Sequence, residues 1–287
     1  MNPSAGAATE LAKKVARLHA ILSSLDGGAV VAFSGGSDSA LLSVEVWRIL
    51  GSRSVSVIAD SPTLPRAELE SAVAFASYHT LPLEIIETHE MENAEFREND
   101  SFRCYHCKRE LFSRLGELAV KRGFKHLLFG AITDDVGDWR PGMKAASELG
   151  VRAPLLEAGF SKMDVRERSR ELGLDTADKP ATACLSSRFP LGRPIQIEDL
   201  TRVERAEALL HALGFGQCRV RLMDEAARIE VEPQELARAV SPEVRAELLE
   251  GMKALGFRFL TIDLEGFRSG SLSARPSEKR HGIGRNT

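Results

Sequence analysis

The chain has 287 residues, of which 43% are hydrophobic and 28% charged, and its formal net charge is −3. This composition is typical of a folded protein with a substantial core, and the negative charge argues against nucleic acid as a partner. No apolar run approaches the roughly 20 residues of a membrane span, and the first residues lack the layout of a secretory signal. We therefore expect a cytoplasmic protein, without a membrane partner, whose four cysteines are free, metal-binding or catalytic.

Strand-like and helix-like patterns alternate through the first half of the chain. Strands are predicted at 29–33, 54–59, 83–87 and 126–129. Helices are predicted at 10–24, 39–50, 65–79, 105–122, 144–149 and 162–172. This order predicts an α/β domain over residues 1–185, with a parallel sheet covered by helices on both faces. Such sheets bind ligands at the carboxyl ends of their strands, where Ser34, Asp60 and Gly130 lie.

The pattern changes after residue 190. Strands are predicted at 218–223, 228–232 and 258–264, and helices at 197–213, 233–240 and 242–255. These elements predict a smaller α+β domain over residues 190–268. Residues 269–287 are rich in Ser, Gly and Arg, which predicts a disordered tail.

The stretch Ser34-Gly35-Gly36-Ser37-Asp38-Ser39 separates the first strand from the next helix. Glycines permit a tight turn and a close approach by a ligand, and the free N–H groups of a helix start attract anions. The hydroxyls add donors, and the Asp38 carboxylate is placed to bind Mg²⁺ or to cap the helix. A purely structural helix cap is the alternative. No lysine follows in the spacing GxxxxGK[ST], so this is not the phosphate loop of kinases and GTPases.

The order SGGxDS after a buried strand resembles the PP-loop of ATP pyrophosphatases, which include GMP, NAD and asparagine synthetases and tRNA thiolation enzymes. The resemblance implies that ATP is cleaved to AMP and pyrophosphate while a substrate oxygen is adenylylated. It implies a pyrophosphate cradle formed by Ser34, Gly35, Gly36, Asp38 and Ser39. It also implies that Asp60, Ser61 and Gly130 face the adenosine.

Three of the four cysteines form a second candidate site. Cys104 and Cys107 lie three residues apart at a helix start, where they share a face and the helix dipole favours thiolates. Cys184 lies in a proline-flanked loop, whereas Cys218 lies in a predicted strand as a buried core residue. Spacing alone leaves three interpretations open: a zinc site, a redox pair with an unrelated cysteine, or an iron–sulfur site with one open iron.

Three arginines are candidates for binding the substrate. Arg188 follows Cys184 by four residues, and its guanidinium suits a phosphate or a carboxylate. Arg140, next to Trp139, is placed in a substrate rim or in an ordinary surface turn. Arg219 lies on a predicted strand and would bind the substrate phosphate or a divalent ion, or pair across strands.

Asp135 follows the strand that ends at Gly130, together with a second aspartate. We predict that it binds Mg²⁺ or the ribose, with an acidic turn as the alternative.

Five segments in order resemble one PP-loop family, the LarE-type sulfur transferases of the nickel-pincer cofactor pathway. They are ADSPTLPRAELESA, RCYHCKRELFSRLGELA, DVGDWRPGMKAASELGVRAPLLEAG, DKPATACLSSRFPLG and FRFLTIDLEGFRSGSL. The resemblance covers residues 15–272. It implies a nucleotide substrate, pyridinium-3,5-biscarboxylic acid mononucleotide, whose adenylylated carboxylates become thiocarboxylates. It departs from the common family form at Ala131-Ile132-Thr133, where an amide-bearing residue is more usual.

The family has two sources of sulfur. In one, three cysteines hold a [4Fe-4S] cluster that carries a transferable sulfide, and the chain has all three in Cys104, Cys107 and Cys184. In the other, the cysteine at the position of Cys184 gives up its own sulfur and becomes dehydroalanine. The three cysteines favour the cluster, so the predicted cofactors are ATP, Mg²⁺ and [4Fe-4S]. The predicted partners are further copies of the chain and a downstream nickel-inserting enzyme.

Three other functions compete with this interpretation. A tRNA thiolation enzyme would carry a basic stripe, which the net charge of −3 does not favour. An amide-forming synthetase would need ammonia and leaves the three cysteines without a role. A nucleotide sensor would bind ATP without releasing pyrophosphate.

Overall fold

The computed structural model describes residues 3–136 and 141–268. These residues form two compact units. Unit 1 comprises the described residues of 1–96 and 102–184, and unit 2 comprises 97–101 and those from 185 onward. Within the described ranges, no helix is both long and apolar enough to cross a membrane.

Unit 1 alternates strands and helices, as the sequence predicts. Its strands are β1 (Ala29–Ala32), β2 (Ser54–Asp60), β3 (Leu83–Glu87) and β4 (His126–Phe129). Its helices are α1 (Pro3–Ser23), α2 (Ser37–Leu50), α3 (Arg66–Tyr78), α4 (Ala94–Arg97), α5 (Arg103–Arg122), α6 (Pro141–Glu148), α7 (Pro154–Ala158) and α8 (Lys162–Glu171). The sequence analysis missed only α4 and α7 among these, because helices of four and five residues carry no periodic pattern.

The four strands form one parallel sheet in the order β3-β2-β1-β4. Ala32 at the end of β1 pairs with Val57 on one side and with Phe129 on the other. The carboxyl ends of the central strands therefore meet at one edge of the sheet, which confirms the predicted fold class for this unit. The loops that follow β1, β2 and β4 all begin at this edge.

The core of unit 1 lies on both faces of this sheet. Ala29 and Val31 pack into one hydrophobic cluster, while Val30 and Ala32 pack into a second. Alternate side chains of a strand point to opposite faces, so β1 is buried on both sides. This explains why β1 is an unbroken apolar run in the sequence.

Ion pairs attach α8 to α1 and α2. The buried Glu45 carboxylate accepts a hydrogen bond from Arg168 Nε at 2.7 Å and lies 2.9 Å from His19 Nε2. Lys14 Nζ donates to Asp164 Oδ2 at 2.7 Å. These contacts fix α8 against α1 and α2. The first residue of α8 is Lys162, which belongs to the candidate site described below.

Unit 2 is a small α+β unit, as predicted. Its strands are β5 (Cys218–Met223), β6 (Ala226–Val231) and β7 (Phe259–Ile262), and its helices are α9 (Ile197–Ala212), α10 (Leu236–Ala239) and α11 (Pro242–Ala254). β5 and β6 are antiparallel, and β7 runs parallel to β6. The short segment 97–101 also belongs here, because the buried Asn99 donates to the carbonyls of Pro190 and Arg193.

Candidate active site

The turn between β1 and α2 has the backbone that an anion site requires. Gly35 has φ +72°, and a Cβ atom there would lie 2.8 Å from Cβ of Ala72. Gly36 is the N-cap of α2 and offers no side-chain cap, so the first N–H groups of the helix remain for a ligand. Only glycine suits position 35, because both the conformation and the space exclude a side chain.

Two serines of the loop have different surroundings. Ser39 is buried, accepts a hydrogen bond from Ser34 N at 3.1 Å and donates one to Gly36 O at 3.0 Å. The hydroxyls of Ser34 and Ser39 lie 3.0 Å apart. Ser39 therefore stabilises the loop from inside, whereas the exposed Ser34 lines the cavity described below.

Two lysines reach this loop from distant parts of the chain. Lys162 Nζ donates to Asp38 Oδ1 and to Ser37 Oγ, both at 2.8 Å. Lys179 Nζ donates to Gly35 O at 3.0 Å. The sequence analysis found no lysine for the loop because these two are separated from their partners by 124 and 144 residues. They supply positive charge where the sequence predicts pyrophosphate.

The end of β4 packs directly against the loop. A Cβ atom at Gly130 would lie only 2.8 Å from Ser39 N, so glycine allows the two backbones to approach. Asp135 Oδ2 accepts a hydrogen bond from Ile132 N at 3.0 Å, which stabilises the turn after β4. The predicted contacts of Gly130 with adenosine, and of Asp135 with Mg²⁺ or ribose, stay predictions.

A cavity of about 280 Å³ opens beside the loop. Its wall includes the loop residues Ser34 and Gly36 and an apolar portion formed by Phe33, Ile58 and Leu111. This size is near the lower end of small-molecule sites, roughly 300 Å³. All of its lining residues belong to unit 1.

A buried carboxylate forms the polar wall of the cavity. Glu90 Oε1 accepts hydrogen bonds from the hydroxyls of Ser61 and Thr63, all within the cavity lining. Asp60 is not part of that lining, because its carboxylate pairs with Arg66. Of the two residues predicted to face adenosine after β2, the structure therefore brings only Ser61 to the cavity. No local pattern pointed to Glu90, whose partners lie 27 and 29 residues away.

Two of the three candidate cysteines line the same cavity. Cys107, on the first turns of α5, and Cys184 both contribute to its wall, whereas the exposed Cys104 does not. Burial raises the pKa of the Cys107 thiol to about 12, against a smaller lowering effect of Lys108. Burial therefore favours the neutral thiol of Cys107 over the thiolate that the sequence analysis expected there.

The cysteines have the right chemistry for an iron–sulfur cluster, which proteins hold through cysteine thiolates. Within residues 3–136 and 141–268, no three His, Cys, Asp or Glu side chains are grouped to hold a single metal ion. In a [4Fe-4S] cluster each thiolate binds a different iron, so Cys104, Cys107 and Cys184 would not need to converge on one point.

Unit 2 contains a buried cluster of arginines. Nε and Nη2 of Arg188 donate to the two carboxylate oxygens of Glu207, at 3.0 and 2.8 Å. Arg221, on β5, donates to Glu230, on β6, at 2.7 and 3.0 Å. Cys218 is buried beside them, as predicted.

Arg219 differs from Arg188 and Arg221 in its hydrogen-bond partner. It donates to Cys218 O at 2.6 Å and lies over the Phe267 ring, but among the described residues it makes no ion pair. Burial and then the nearby positive charge of Arg188 lower the pKa of Arg219. The roles of Arg188 and Arg219 in binding substrate stay predictions, and Arg140 lies outside the described residues.

Comparisons with known proteins agree with this architecture. The chain is 42% identical to an uncharacterized protein of Synechocystis sp., over 92% of this chain and 98% of the relative. It is 36% identical to pyridinium-3,5-bisthiocarboxylic acid mononucleotide synthase of Lactiplantibacillus plantarum, over 92% of this chain and 95% of the relative. It is 27% identical to one subunit of the glutamine-hydrolysing GMP synthase of Thermoplasma volcanium, over 56% of each chain. No protein-family model matches it.

The parallel sheet and the glycine turn at its carboxyl edge define a protein of the PP-loop class. Within that class, the likeness to the Lactiplantibacillus protein extends over both units and beyond the loop. The chain belongs to the LarE-type family of sulfur transferases.

Proposed function

We propose that this chain is an ATP-dependent sulfur transferase that makes pyridinium-3,5-bisthiocarboxylic acid mononucleotide from the corresponding biscarboxylic acid. One observation carries the proposal. A single cavity in unit 1 joins the phosphate loop, through Ser34 and Gly36, to two thiols, Cys107 and Cys184. The name of the Lactiplantibacillus relative supports this product.

The first step is adenylylation of the substrate. A carboxylate oxygen attacks the α-phosphorus of ATP, the bond to the β-phosphate oxygen breaks, and an acyl adenylate and pyrophosphate result. The first N–H groups of α2 and the ammonium groups of Lys162 and Lys179 compensate the charge on the leaving pyrophosphate. Mg²⁺ is commonly held by one or two carboxylates together with phosphates, and Asp38, which lies in the loop itself, is our candidate for this role.

The second step brings sulfur to the adenylate, and we place it at Cys184. AMP leaves when sulfur attacks the acyl carbon, and a thiocarboxylate is the product. A [4Fe-4S] cluster would be held by Cys104, Cys107 and Cys184 and would supply a transferable sulfide, which is the source that the family resemblance favours. Cys184 itself is the second candidate, favoured by its exposure and by its place in the cavity. In that case its thiolate forms a thioester, and loss of the Cα proton with cleavage of the Cβ–S bond leaves dehydroalanine.

The buried arginines of unit 2 are our candidates for the phosphate of the substrate. Arg219 supports this assignment best, because it is a buried cation without a carboxylate partner among the described residues. Such a group is stabilised by an incoming anion. Arg188 and Arg221 would share a phosphate only if they loosen their existing pairs with glutamates.

Iron and acid-labile sulfide, measured after anaerobic purification, test the source of sulfur. We expect iron in the wild-type chain, its loss in Cys104→Ala, and its retention in the control variant Cys218→Ala, whose cysteine is buried in unit 2. An iron-free chain that converts Cys184 to dehydroalanine during one turnover would instead establish the sacrificial route. Absence of pyrophosphate release in the presence of ATP and the biscarboxylic substrate would refute the proposed function altogether.

A further inference from the structure

Cys184 ends a segment, residues 179–184, that contains no helix or strand. Two side chains attach this segment to the rest of unit 1. Lys179 Nζ lies 2.7 Å from Glu68 Oε2, and Thr182 Oγ1 donates to Glu68 Oε1 at 3.2 Å. Glu68 belongs to the first turn of α3 and lines the cavity together with Thr182 and Cys184. One carboxylate therefore holds the segment at two points.

The same lysine also contacts the phosphate loop. Lys179 Nζ donates to Gly35 O at 3.0 Å, at the residue where the chain reverses between β1 and α2. An ammonium group has three donors, and these contacts use two of them. The side chains of Lys179 and Glu68 are only 18% and 22% exposed, so solvent screens their attraction less than that of a surface pair.

Polyphosphate in the loop would change the surroundings of Lys179. Its negative charge would lie beside an ammonium group that already touches the loop, and it would compete with Glu68 and Gly35 O for that group. Release of pyrophosphate would return Lys179 to those partners. Lys179 is the first residue of the segment 179–184, and Cys184 is its last. A change in the partners of Lys179 therefore acts on the segment that carries Cys184.

We propose that Lys179, in addition to compensating charge at the loop, acts with Glu68 to position Cys184, so that the placement of Cys184 depends on polyphosphate in the loop. Adenylylation leaves pyrophosphate at the loop before sulfur attacks, so this link orders the two steps. The inference rests on the proposed function. The inference goes beyond the proposed function because it assigns the coupling of adenylylation and sulfur transfer to the Lys179–Glu68 ion pair.

The test compares two products of the same reaction in the full chain. Pyrophosphate reports adenylylation, and thiocarboxylate reports sulfur transfer. An adenylate that sulfur does not reach is hydrolysed by water to AMP and the original carboxylate, so faulty positioning lowers the ratio of thiocarboxylate to pyrophosphate. We expect Lys179→Met to lower this ratio about tenfold, because small displacements of a reacting group are costly, and Lys179→Arg to restore part of it.

Two further variants separate positioning from folding. Thr182→Val keeps the shape of the side chain but loses its hydrogen bond to Glu68, and we expect a smaller fall in the same ratio. Lys125→Met is the control, because Lys125 pairs with Asp26 where β1 and β4 begin, at the opposite edge of the sheet from the loop. It removes one positive charge, and we expect the ratio to stay at the wild-type value.

Hydrogen–deuterium exchange of the peptide covering residues 179–184 gives a readout independent of turnover. With ATP as the probe, we expect a change in wild-type exchange that is lost in Lys179→Met. Wild-type ratios and wild-type exchange in both Lys179→Met and Thr182→Val would overturn the inference while leaving the proposed function intact. A wild-type chain that releases no pyrophosphate would overturn both.

Discussion

The loop between β1 and α2 of unit 1 and the arginine cluster of unit 2 hold their charged groups in different ways. At the loop between β1 and α2 of unit 1, the side chains of Lys162 and Asp38 are 30% and 29% exposed. In unit 2, the paired side chains of Arg188 and Glu207 are 1% and 8% exposed. The first pair is partly exposed to solvent and also contacts the Ser37 hydroxyl, whereas the second pair is buried.

This difference separates charges that can change partners from charges that hold the fold. A partly exposed pair gains little from its contact, so a ligand can replace one partner at low cost. A buried pair has lost its hydration, so removing one partner leaves an uncompensated charge. We therefore expect substitutions at the loop to affect reaction steps, and substitutions in the arginine cluster to affect stability first.

Arg188→Met should have the largest effect on stability. It leaves Glu207 buried without its guanidinium partner, although Val220 N still donates to that carboxylate at 2.9 Å. We expect the free energy of unfolding to fall by about 3–5 kcal/mol. Urea denaturation, followed by circular dichroism, measures this loss.

Two variants check the interpretation of that loss. Arg258→Met removes an exposed arginine of the same unit and should change stability by less than about 0.5 kcal/mol. The double variant Arg188→Met/Glu207→Leu should recover much of the loss, because no unpaired charge remains. Equal losses in Arg188→Met and Arg258→Met would remove the distinction between buried and exposed pairs.

Lys162→Met should affect the reaction more than the fold. The substitution removes the ammonium group that contacts Asp38 and Ser37 at the loop. We expect pyrophosphate release to slow about 100-fold, as for the loss of one donor to a developing charge. The free energy of unfolding should change by about 1 kcal/mol or less, because the pair is partly exposed.

Lys125→Met serves as the control for Lys162→Met, since it also removes a lysine from an ion pair of unit 1. Its rate of pyrophosphate release should equal that of the wild-type chain. If Lys162→Met loses stability and retains its rate, the charges at the loop hold the fold after all.

Gly35→Ala tests the backbone of the loop rather than its charges. A left-handed conformation costs about 1–2 kcal/mol for a residue with a side chain, and the new Cβ would also meet Ala72. Gly123→Ala is a matched control, because Gly123 has φ +73° but no atom within 4 Å of an added Cβ. We expect both variants to lose stability in calorimetry, and only Gly35→Ala to lose affinity for ATP. Equal ATP affinities would contradict a special role for position 35.

The part of the site that is contiguous in sequence could be predicted. The run of apolar residues in β1, the two glycines and the helix pattern of α2 are local features, and the parallel order follows from strand–helix alternation. The predicted edge of the sheet is therefore the observed one. Loop residues such as Ser34 and Gly36 were predicted there and lie there.

The rest of the site depends on contacts that no local pattern specifies. Lys162, Lys179 and Glu90 meet their partners over long separations in the chain, so they resemble ordinary surface residues in the sequence. A lone arginine gives no sign of a buried carboxylate 19 residues further on, so the pairing of Arg188 with Glu207 could not be predicted. Spacing also could not reveal that Cys107, but not Cys104, lines the cavity.

Lys14→Met should have a small effect on the free energy of unfolding. This effect is informative because it should depend on pH. Lys14 and Asp164 are 24% and 15% exposed, between the loop pair and the arginine cluster. Burial alone would raise the pKa of Asp164, but hydrogen bonds from Lys14 and Ser161 outweigh it, so that pKa lies below its usual value. A lowered carboxyl pKa stabilises the folded state above the unfolded pKa of about 4, and this contribution disappears as the pH falls through the folded pKa.

At pH 7 we therefore expect Lys14→Met to be less stable than the wild-type chain by about 1 kcal/mol. The difference should begin to shrink below about pH 4, where Asp164 of the unfolded chain takes up a proton, and should disappear once the pH has fallen through the lowered pKa of the folded chain. Urea denaturation at several pH values measures it. Lys13→Met is the control: Lys13 pairs with Glu10 on the exposed side of α1 and should change stability little at any pH. A difference for Lys14→Met that is as large at pH 3 as at pH 7 would mean that lost packing of the lysine stem, and not its charge, joins α1 to α8.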